Sequence, residues 1–207
     1  QAVREKRGPA LADKVIVLDP SSRSDIAETV YDIAQKIEGR LIALGVSVFL
    51  SRSATSSPNE SERIALANST DADLVISLSI DKYKNAKAEG LSTYFYGSEL
   101  HGIHSIVGER FATIVQRELV ARTDLLNSRT HAKTWDLLRL TKAPTVLLEL
   151  GYNTNPKDAS RLADSHFRDV IAEGLVVAIQ RLYLSAEEDA KTGTLRIEDL
   201  RRAGIRR

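Results

Sequence analysis

Short, mainly apolar runs that end in polar residues constrain the fold of this chain more than any other feature. They span residues 14–20, 73–80 and 144–150, and shorter runs follow at 46–50 and 91–96. Hydrophobic residues at nearly every position over so short a length are typical of strands buried on both faces of a parallel sheet. The runs therefore predict the central strands of such a sheet.

Between these runs lie stretches in which the apolar residues have a different spacing. Within residues 26–44, 107–119 and 167–182 the apolar side chains recur every three or four positions, which is the pattern of a helix with one buried stripe. Strands that alternate with helices predict an α/β fold, in which a mostly parallel twisted sheet is flanked by helices on both faces.

Changes of composition divide the chain into three parts. Residues 1–13 are polar and basic and are predicted to be a linker, and residues 14–184 carry the strand and helix pattern of one domain. Residues 185–207 begin with acidic residues and end with arginines. We interpret this last part as a polar regulatory tail.

Charge and composition exclude several classes of function. The net charge is +1, which gives no electrostatic basis for binding nucleic acid. No stretch approaches the roughly 20 apolar residues of a membrane span. Cysteine is absent, so thiolate metal sites and cysteine nucleophiles are excluded.

Functional residues of open α/β sheets lie beyond the carboxyl ends of the strands. Here those ends carry carboxylates and serines but no histidine. A carboxylate site for Mg²⁺ or Ca²⁺ is one interpretation, although such carboxylates more often cap helices or form turns. Its members would be Asp19, Asp25, Glu28, Asp81 and Glu149. A second candidate ligand pair is His101 and His104, but the intervening Gly102 favours a solvated pair.

The strand ends also carry a resemblance to a known family. Residues 15–20, 62–68, 72–79 and 144–156 resemble, in order, the motifs of the zinc-dependent N-acetylmuramoyl-L-alanine amidases. The resemblance implies the fold of those amidases from about residue 15 to residue 184. It also implies that Glu149 matches the general base of active members.

The departures from the family pattern concern the zinc ligands. By the resemblance, Ser22 and Ser79 stand where active members have histidine, and Ile26 stands where they have glutamate. Asp25 and Glu28 are the nearest carboxylates to that last position and are alternative substitutes for the glutamate. Without zinc there is no Lewis acid to activate water, and a lone general base contributes only about 10²- to 10⁴-fold. We therefore predict no bound metal or other cofactor and no catalytic residue, with Glu149 as a remnant base.

A narrower resemblance is to the actinobacterial CwlM group, an amidase-like branch of the family. It rests on residues 107–112, 116–119, 129–141 and 192–194. It implies a cytoplasmic regulator that binds and activates the enolpyruvyl transferase MurA of peptidoglycan precursor synthesis. It also implies phosphorylation by a membrane Ser/Thr kinase, for which Thr192 and Thr194 are the candidates, and docking of forkhead-associated domain proteins. A tail without a role is the alternative.

One polar stretch suggests a surface for a partner. Arg129, His131, Lys133 and Trp135 combine basic and aromatic character in a predicted loop, and Trp and Arg are frequent in binding hot spots. Alternatively, Trp135 packs beneath the loop. Two other functions remain open, namely a cell-wall module that binds muropeptide and a residual amidase.

Overall fold

The computed structural model describes the backbone of residues 11–192 and the side chains of residues 11–184. Its strands are β1 (Val15–Pro20), β2 (Ser47–Leu50), β3 (Leu74–Asp81), β4 (Leu91–Ser98), β5 (Ile103–His104), β6 (Asn127–Lys133) and β7 (Thr145–Tyr152). Its helices are α1 (Ala27–Ala43), α2 (Glu60–Ser69), α3 (Ile106–Arg122), α4 (Asp136–Leu140), α5 (Pro156–Ala163) and α6 (Ser165–Thr192), with a 3₁₀ turn at Glu99–His101.

The strands form one sheet in the order β2-β1-β3-β7-β4, and both β5 and β6 pair with β4. The pairs β1–β2, β1–β3, β3–β7 and β4–β6 are parallel. Among the described strands, only the pairs that β4 forms with β7 and β5 are antiparallel. The predicted α/β fold with a mostly parallel sheet is confirmed.

Helices cover the two faces of the sheet unequally. On one face α1, α3 and α6 enclose the main core, which includes Ile16, Ile76, Leu148 and Phe111. On the other face Val17, Ala67 and Val75 form only a small buried cluster, near α2 and α4. Side chains alternate between the faces of a strand, so Ser77, Ser79 and Glu149 share this second face.

The ends of the domain differ from the predicted boundaries. Leu11 is only 3% exposed and belongs to the main core, although it lies in the predicted linker. At the other end α6 continues to Thr192, past the predicted start of the tail at residue 185. The residues 185–192 are mostly good helix formers, so local propensity favours the continuation of α6. Thr194 lies outside the described residues, as does the side chain of Thr192.

The stretch around Arg129 is also not a loop. Residues Asn127–Lys133 form β6, and Trp135 immediately precedes α4. The side chains of this strand are exposed or half-buried at every position, so it lacks the apolar signal of a buried strand. Within the described residues, no helix has the length and apolarity needed to cross a membrane.

Candidate functional site

The candidate site lies where β1, β3 and β7 end, on the less covered face of the sheet. Ser79 on β3 is the register partner of Glu149 on β7, and Ser92 on β4 is its partner on the other side. Asp19 at the end of β1 is the register partner of Ser77. Parallel pairing thus brings together the strand ends that the sequence singled out.

Glu149 is the most perturbed acidic group of this site. Burial, assisted by the nearby charge of Asp81, raises its pKa to about 7, while Ser79 and Arg23 oppose that shift. Its Oε2 atom is buried and accepts no hydrogen bond from the described residues. Near neutral pH this carboxyl group is therefore divided between its protonated and ionised forms.

The three positions matched to zinc ligands do not provide a zinc site. Ser22 is half-buried in the β1–α1 loop, and Ser79 offers a neutral hydroxyl group. Ile26 is 1% exposed and packs in the main core. Zinc sites in proteins use imidazole, thiolate or carboxylate ligands, so these residues do not fit the metal.

Arg23 brings a cation into the same loop. Its Nη2 donates to the backbone carbonyl of Ile80 at 2.6 Å, and its Nε donates to Asp25 Oδ1 at 2.5 Å. Asn153 donates from Nδ2 to the other oxygen of Asp25 at 3.3 Å. Arg23 is the main reason that the pKa of Asp25 lies below its ordinary value. One guanidinium group therefore ties the ends of β1 and β3 together beside Glu149.

A second arginine, Arg52, stabilises the β1–α1 loop through hydrogen bonds to its backbone. It is 5% exposed and donates hydrogen bonds to the carbonyl groups of Pro20, Ser21 and Ala27 at 2.8–2.9 Å. Its guanidinium group also lies 5.1 Å from the centre of the Tyr31 ring. The sequence analysis did not single out Arg52, because nothing in its local pattern shows that it turns inward.

The proposed carboxylate set does not converge on one point. Asp19 accepts hydrogen bonds from Arg63 (2.6 Å), Ser51 (2.6 Å) and Ser77 (2.8 Å). Asp25 is paired with Arg23, and Glu28 is exposed on α1. Among residues 11–184 no group of three or more histidine or acidic side chains is arranged to hold a metal ion.

Two tyrosines that the sequence analysis did not identify lie near the carboxyl groups. The pKa of Tyr94 is raised by burial and by the charges of Glu149 and Asp81, and that of Tyr152 is raised by burial and by Asp81. The sequence signal for Tyr94 was the period-two spacing of Ser92, Tyr94 and Tyr96. This spacing places Tyr94 on the face of the sheet that carries Glu149.

The predicted partner residues separate into two groups. Tyr94 stacks on His131 and contacts Trp135, with ring centres 5.4 and 4.8 Å away, and Lys133 lies 5.6 Å from the Trp135 ring centre. Trp135 is packed against Tyr94 but remains 44% exposed. Arg129 instead lines a groove between β6 and α3.

The two histidines proposed as a metal pair are not on one helix. His101 ends the 3₁₀ turn, and His104 lies on β5, with Nε2 3.0 Å from Glu109 Oε2. His104, Glu109 and Lys133 border a cavity of about 720 Å³. His101 does not line it.

The mostly parallel sheet flanked by helices defines the class of protein, an α/β domain with the fold of solved amidases. The sequence profile described as "N-acetylmuramoyl-L-alanine amidase" matches residues 24–181, so the chain belongs to the N-acetylmuramoyl-L-alanine amidase family.

Related proteins support this assignment. The chain is 40% identical to "N-acetylmuramoyl-L-alanine amidase CwlM" of Mycobacterium tuberculosis, over 96% of the chain and 53% of that protein. It is 26% identical to "Probable cell wall amidase LytH" of Staphylococcus saprophyticus, over 89% of the chain and 63% of the relative. The chain thus spans between half and two thirds of the length of these two relatives.

Solved structures share the fold. An N-acetylmuramoyl-L-alanine amidase from Clostridium difficile 630 superposes with a TM-score of 0.74 at 23% identity, covering 84% of this chain and 98% of that one. The amidase Ami1 of Mycobacterium smegmatis gives 0.73 at 20% identity, with coverages of 84% and 99%. The CwlD amidase of Clostridioides difficile, solved in complex with the GerS lipoprotein, gives 0.72 at 21%, with coverages of 84% and 100%.

Proposed function

We propose that this chain is a non-catalytic, amidase-like regulatory domain that has lost zinc-dependent hydrolysis. The observation that carries the proposal is the replacement of the expected ligands by Ser22, Ile26 and Ser79, with Ile26 buried in the core. None of the three presents a group that binds zinc.

The remaining groups do not replace the missing chemistry. Hydrolysis of an amide needs an electrophile that polarises the carbonyl group and an activated water molecule, and zinc supplies both. Arg23 brings a positive charge, but its guanidinium group is already engaged by Asp25 and the Ile80 carbonyl. Glu149 alone, with its pKa raised to about 7, is a general base without an activated nucleophile.

The regulatory role is proposed from kinship and from the fold. The relative CwlM of Mycobacterium tuberculosis covers 96% of this chain. The structural neighbour CwlD is solved in complex with the GerS lipoprotein, so a domain of this fold is known with a protein partner. From the resemblance to the CwlM group we propose that the partner is a MurA-type enolpyruvyl transferase in the cytoplasm. We also propose that Ser/Thr kinase action at Thr192 or Thr194 controls this binding and that of forkhead-associated domain proteins.

The experiment measures zinc, hydrolysis and activation on one preparation. The purified chain and the variants Glu149→Gln and Ser22→His/Ile26→Glu/Ser79→His are assayed for bound zinc and for cleavage of a muramyl-L-alanine peptide. We expect the unaltered chain to contain no zinc and to show no cleavage above that of the Glu149→Gln control. Cleavage by the unaltered chain that Glu149→Gln abolishes would contradict the proposal.

Activation is tested by adding the chain, before and after kinase treatment, to a MurA-type transferase and measuring its rate. We expect kinase treatment to raise the rate, and the Thr192→Ala/Thr194→Ala variant to abolish that increase. An equal transferase rate with and without the chain would refute the regulatory part while leaving the loss of hydrolysis intact.

A second candidate function is a module that binds muropeptide without cutting it. The observation that favours it is Glu149 Oε2, a buried acceptor that receives no hydrogen bond from the described residues on the open face of the sheet. An amide N–H of a bound peptide would satisfy it. Calorimetry with a muramyl peptide tests this function, and binding that Glu149→Gln weakens would support it.

A further inference from the structure

The strand β6 has an edge that no other described strand covers. It pairs with β4, and no second partner for it exists among the described residues. Ser105 N–H donates to the Tyr96 carbonyl, so the amide groups of Tyr96 point toward β5. The amide groups of the preceding residue, Phe95, point to the opposite side of β4, toward β6. Phe95 is in register with Ala132. In a parallel pair its hydrogen bonds then go to the residues that flank Ala132.

This alternation leaves the amide groups of Ala132 pointing away from β4. Thr93 is in register with Thr130, so the amide groups of Thr130 point away as well. The outer edge of β6 therefore offers N–H and C=O groups in the spacing that an added strand requires.

The edge is positively charged. β6 carries Arg129, His131 and Lys133 and contains no acidic residue. Arg117 of α3 stands beside it and is exposed. Within residues 11–184, no ion pair neutralises Arg117, Arg129 or Lys133.

A groove of about 450 Å³ runs beside this edge, between β6 and α3. Thr113, Val120 and Ala121 of α3 line one side of it. Arg129 and Thr130 of β6 line the other side. Every second side chain of a strand added to β6 would enter this groove, because side chains alternate between the faces of a sheet.

The backbone of Arg129 has a strained conformation that also points to a role for this edge. Its φ angle is 67°, and it lies where the register of β4 and β6 shifts by a bulge. Asn127 Oδ1 accepts its N–H at 3.0 Å and helps to hold this conformation. Glycine adopts such an angle without strain, so arginine at this position retains a guanidinium group at a conformational cost.

We infer that the open edge of β6 and its groove bind an extended acidic segment of a partner protein by strand addition. Main-chain hydrogen bonds join the segment to Thr130 and Ala132, its small apolar side chains enter the groove, and its carboxylates pair with Arg117, Arg129 and Lys133. Charge alone would serve to prevent aggregation of an edge strand. The groove and the strained arginine are the features that favour docking.

The occupant is not a second copy of this chain. Pairing of β6 with itself would bring the same cations on two strands together, and like charges across a strand pair are destabilising. The inference does not depend on the loss of zinc chemistry, because β6 is separated from Glu149 by β4.

The test uses the full chain and a labelled short peptide in which glutamate alternates with valine or threonine, measured by fluorescence anisotropy. A peptide with lysine in place of glutamate is the control ligand. We expect saturable binding of the acidic peptide only, together with slowed amide hydrogen exchange at Thr130 and Ala132.

Two variants separate main-chain from charge recognition. Ala132→Pro removes an outward N–H, which an edge strand tolerates, and should weaken binding by up to about tenfold. Arg129→Glu/Lys133→Glu should abolish binding of the acidic peptide and create binding of the lysine peptide. Arg139→Glu, at an exposed site on α4, is the matched control and should change neither affinity. Thermal unfolding verifies that each variant is folded.

The inference is overturned if the lysine peptide binds the unaltered chain as tightly as the acidic peptide. It is also overturned if folded Arg129→Glu/Lys133→Glu binds the acidic peptide unchanged, or if sedimentation shows that the chain dimerises through β6.

Discussion

Ser79 and Glu149 lie opposite each other on adjacent parallel strands, a neutral hydroxyl group beside a carboxyl group whose pKa is raised to about 7. By the family resemblance, Ser79 stands where an imidazole would help to hold a cation. Glu149 is buried beside this hydroxyl group, and the charge of Arg23 lowers its pKa.

The pKa of Glu149 predicts how stability depends on pH. The folded state raises this pKa above its ordinary value of 4.5, so the folded state binds the proton more tightly than the unfolded state. The stabilising contribution of this group is therefore complete below about pH 4.5 and is lost as the pH rises through about 7, by up to about 3 kcal/mol. Glu149→Gln should remove this dependence and raise the free energy of unfolding above neutral pH.

Urea unfolding of both proteins over that pH range measures the effect. Glu99→Gln, at an exposed glutamate in the 3₁₀ turn, is the control and should leave the pH profile unchanged. A Glu149→Gln profile parallel to that of the unaltered chain would show that Glu149 titrates normally.

Arg23 should influence the titration of Glu149 directly. Its positive charge opposes the upward shift of the Glu149 pKa, so Arg23→Gln should raise that pKa further. The same substitution removes the partner of Asp25 and should return the Asp25 pKa toward its ordinary value. Carboxyl carbon NMR during a pH titration reports both groups, and Arg139→Gln serves as the control. An unmoved Glu149 midpoint would place Arg23 too far away to act.

The central part of the fold could be predicted from the sequence because burial on both faces leaves an unmistakable apolar pattern. β1, β3 and β7 each have such a pattern, and they lie side by side and parallel in the sheet as predicted. β6 could not be predicted in this way. It is an edge strand with exposed side chains, and it exists because its backbone pairs with β4.

The site was predictable only in outline. The resemblance predicts serines at two ligand positions, but the burial of Ile26 depends on how α1 begins. The roles of Arg23 and Arg52 depend on contacts with backbone carbonyls far away in sequence, such as those of Ile80 and Pro20. Spacing along the chain contains no information about such contacts.

Arg52 should be important for stability and for the loop that carries Ser22. Arg52→Leu removes the donors to the carbonyl groups of Pro20, Ser21 and Ala27. Buried acceptors left without partners should cost about 3 kcal/mol or more of unfolding free energy. Urea unfolding measures this loss, and hydrogen exchange should show faster opening around Ser22. Arg139→Leu on the surface should cost less than about 0.5 kcal/mol, and an equal effect of both substitutions would contradict the role of Arg52.

Gly151 and Gly39 predict opposite responses to the same substitution. Gly151 has a φ angle of 116°, and a methyl group there would lie 3.1 Å from Asp158 Oδ2. That oxygen accepts the N–H groups of Gly90 (2.8 Å) and Tyr152 (3.0 Å), so it has no room to move away. Gly151→Ala should therefore destabilise the fold by about 2 kcal/mol or more.

Gly39 lies within α1, and a methyl group there would contact nothing within 4 Å. Gly39→Ala should stabilise the fold by about 0.5–1 kcal/mol, because alanine loses less backbone entropy in a helix. Thermal and urea unfolding of both variants measure the two signs. Gly151→Ala should also displace the turn after β7, which positions Asn153 against Asp25. Because the hydrogen bond from Asn153 helps to lower the pKa of Asp25, that pKa should rise toward its ordinary value. Stabilisation by both substitutions would mean that the backbone at Gly151 relaxes to an ordinary conformation without cost.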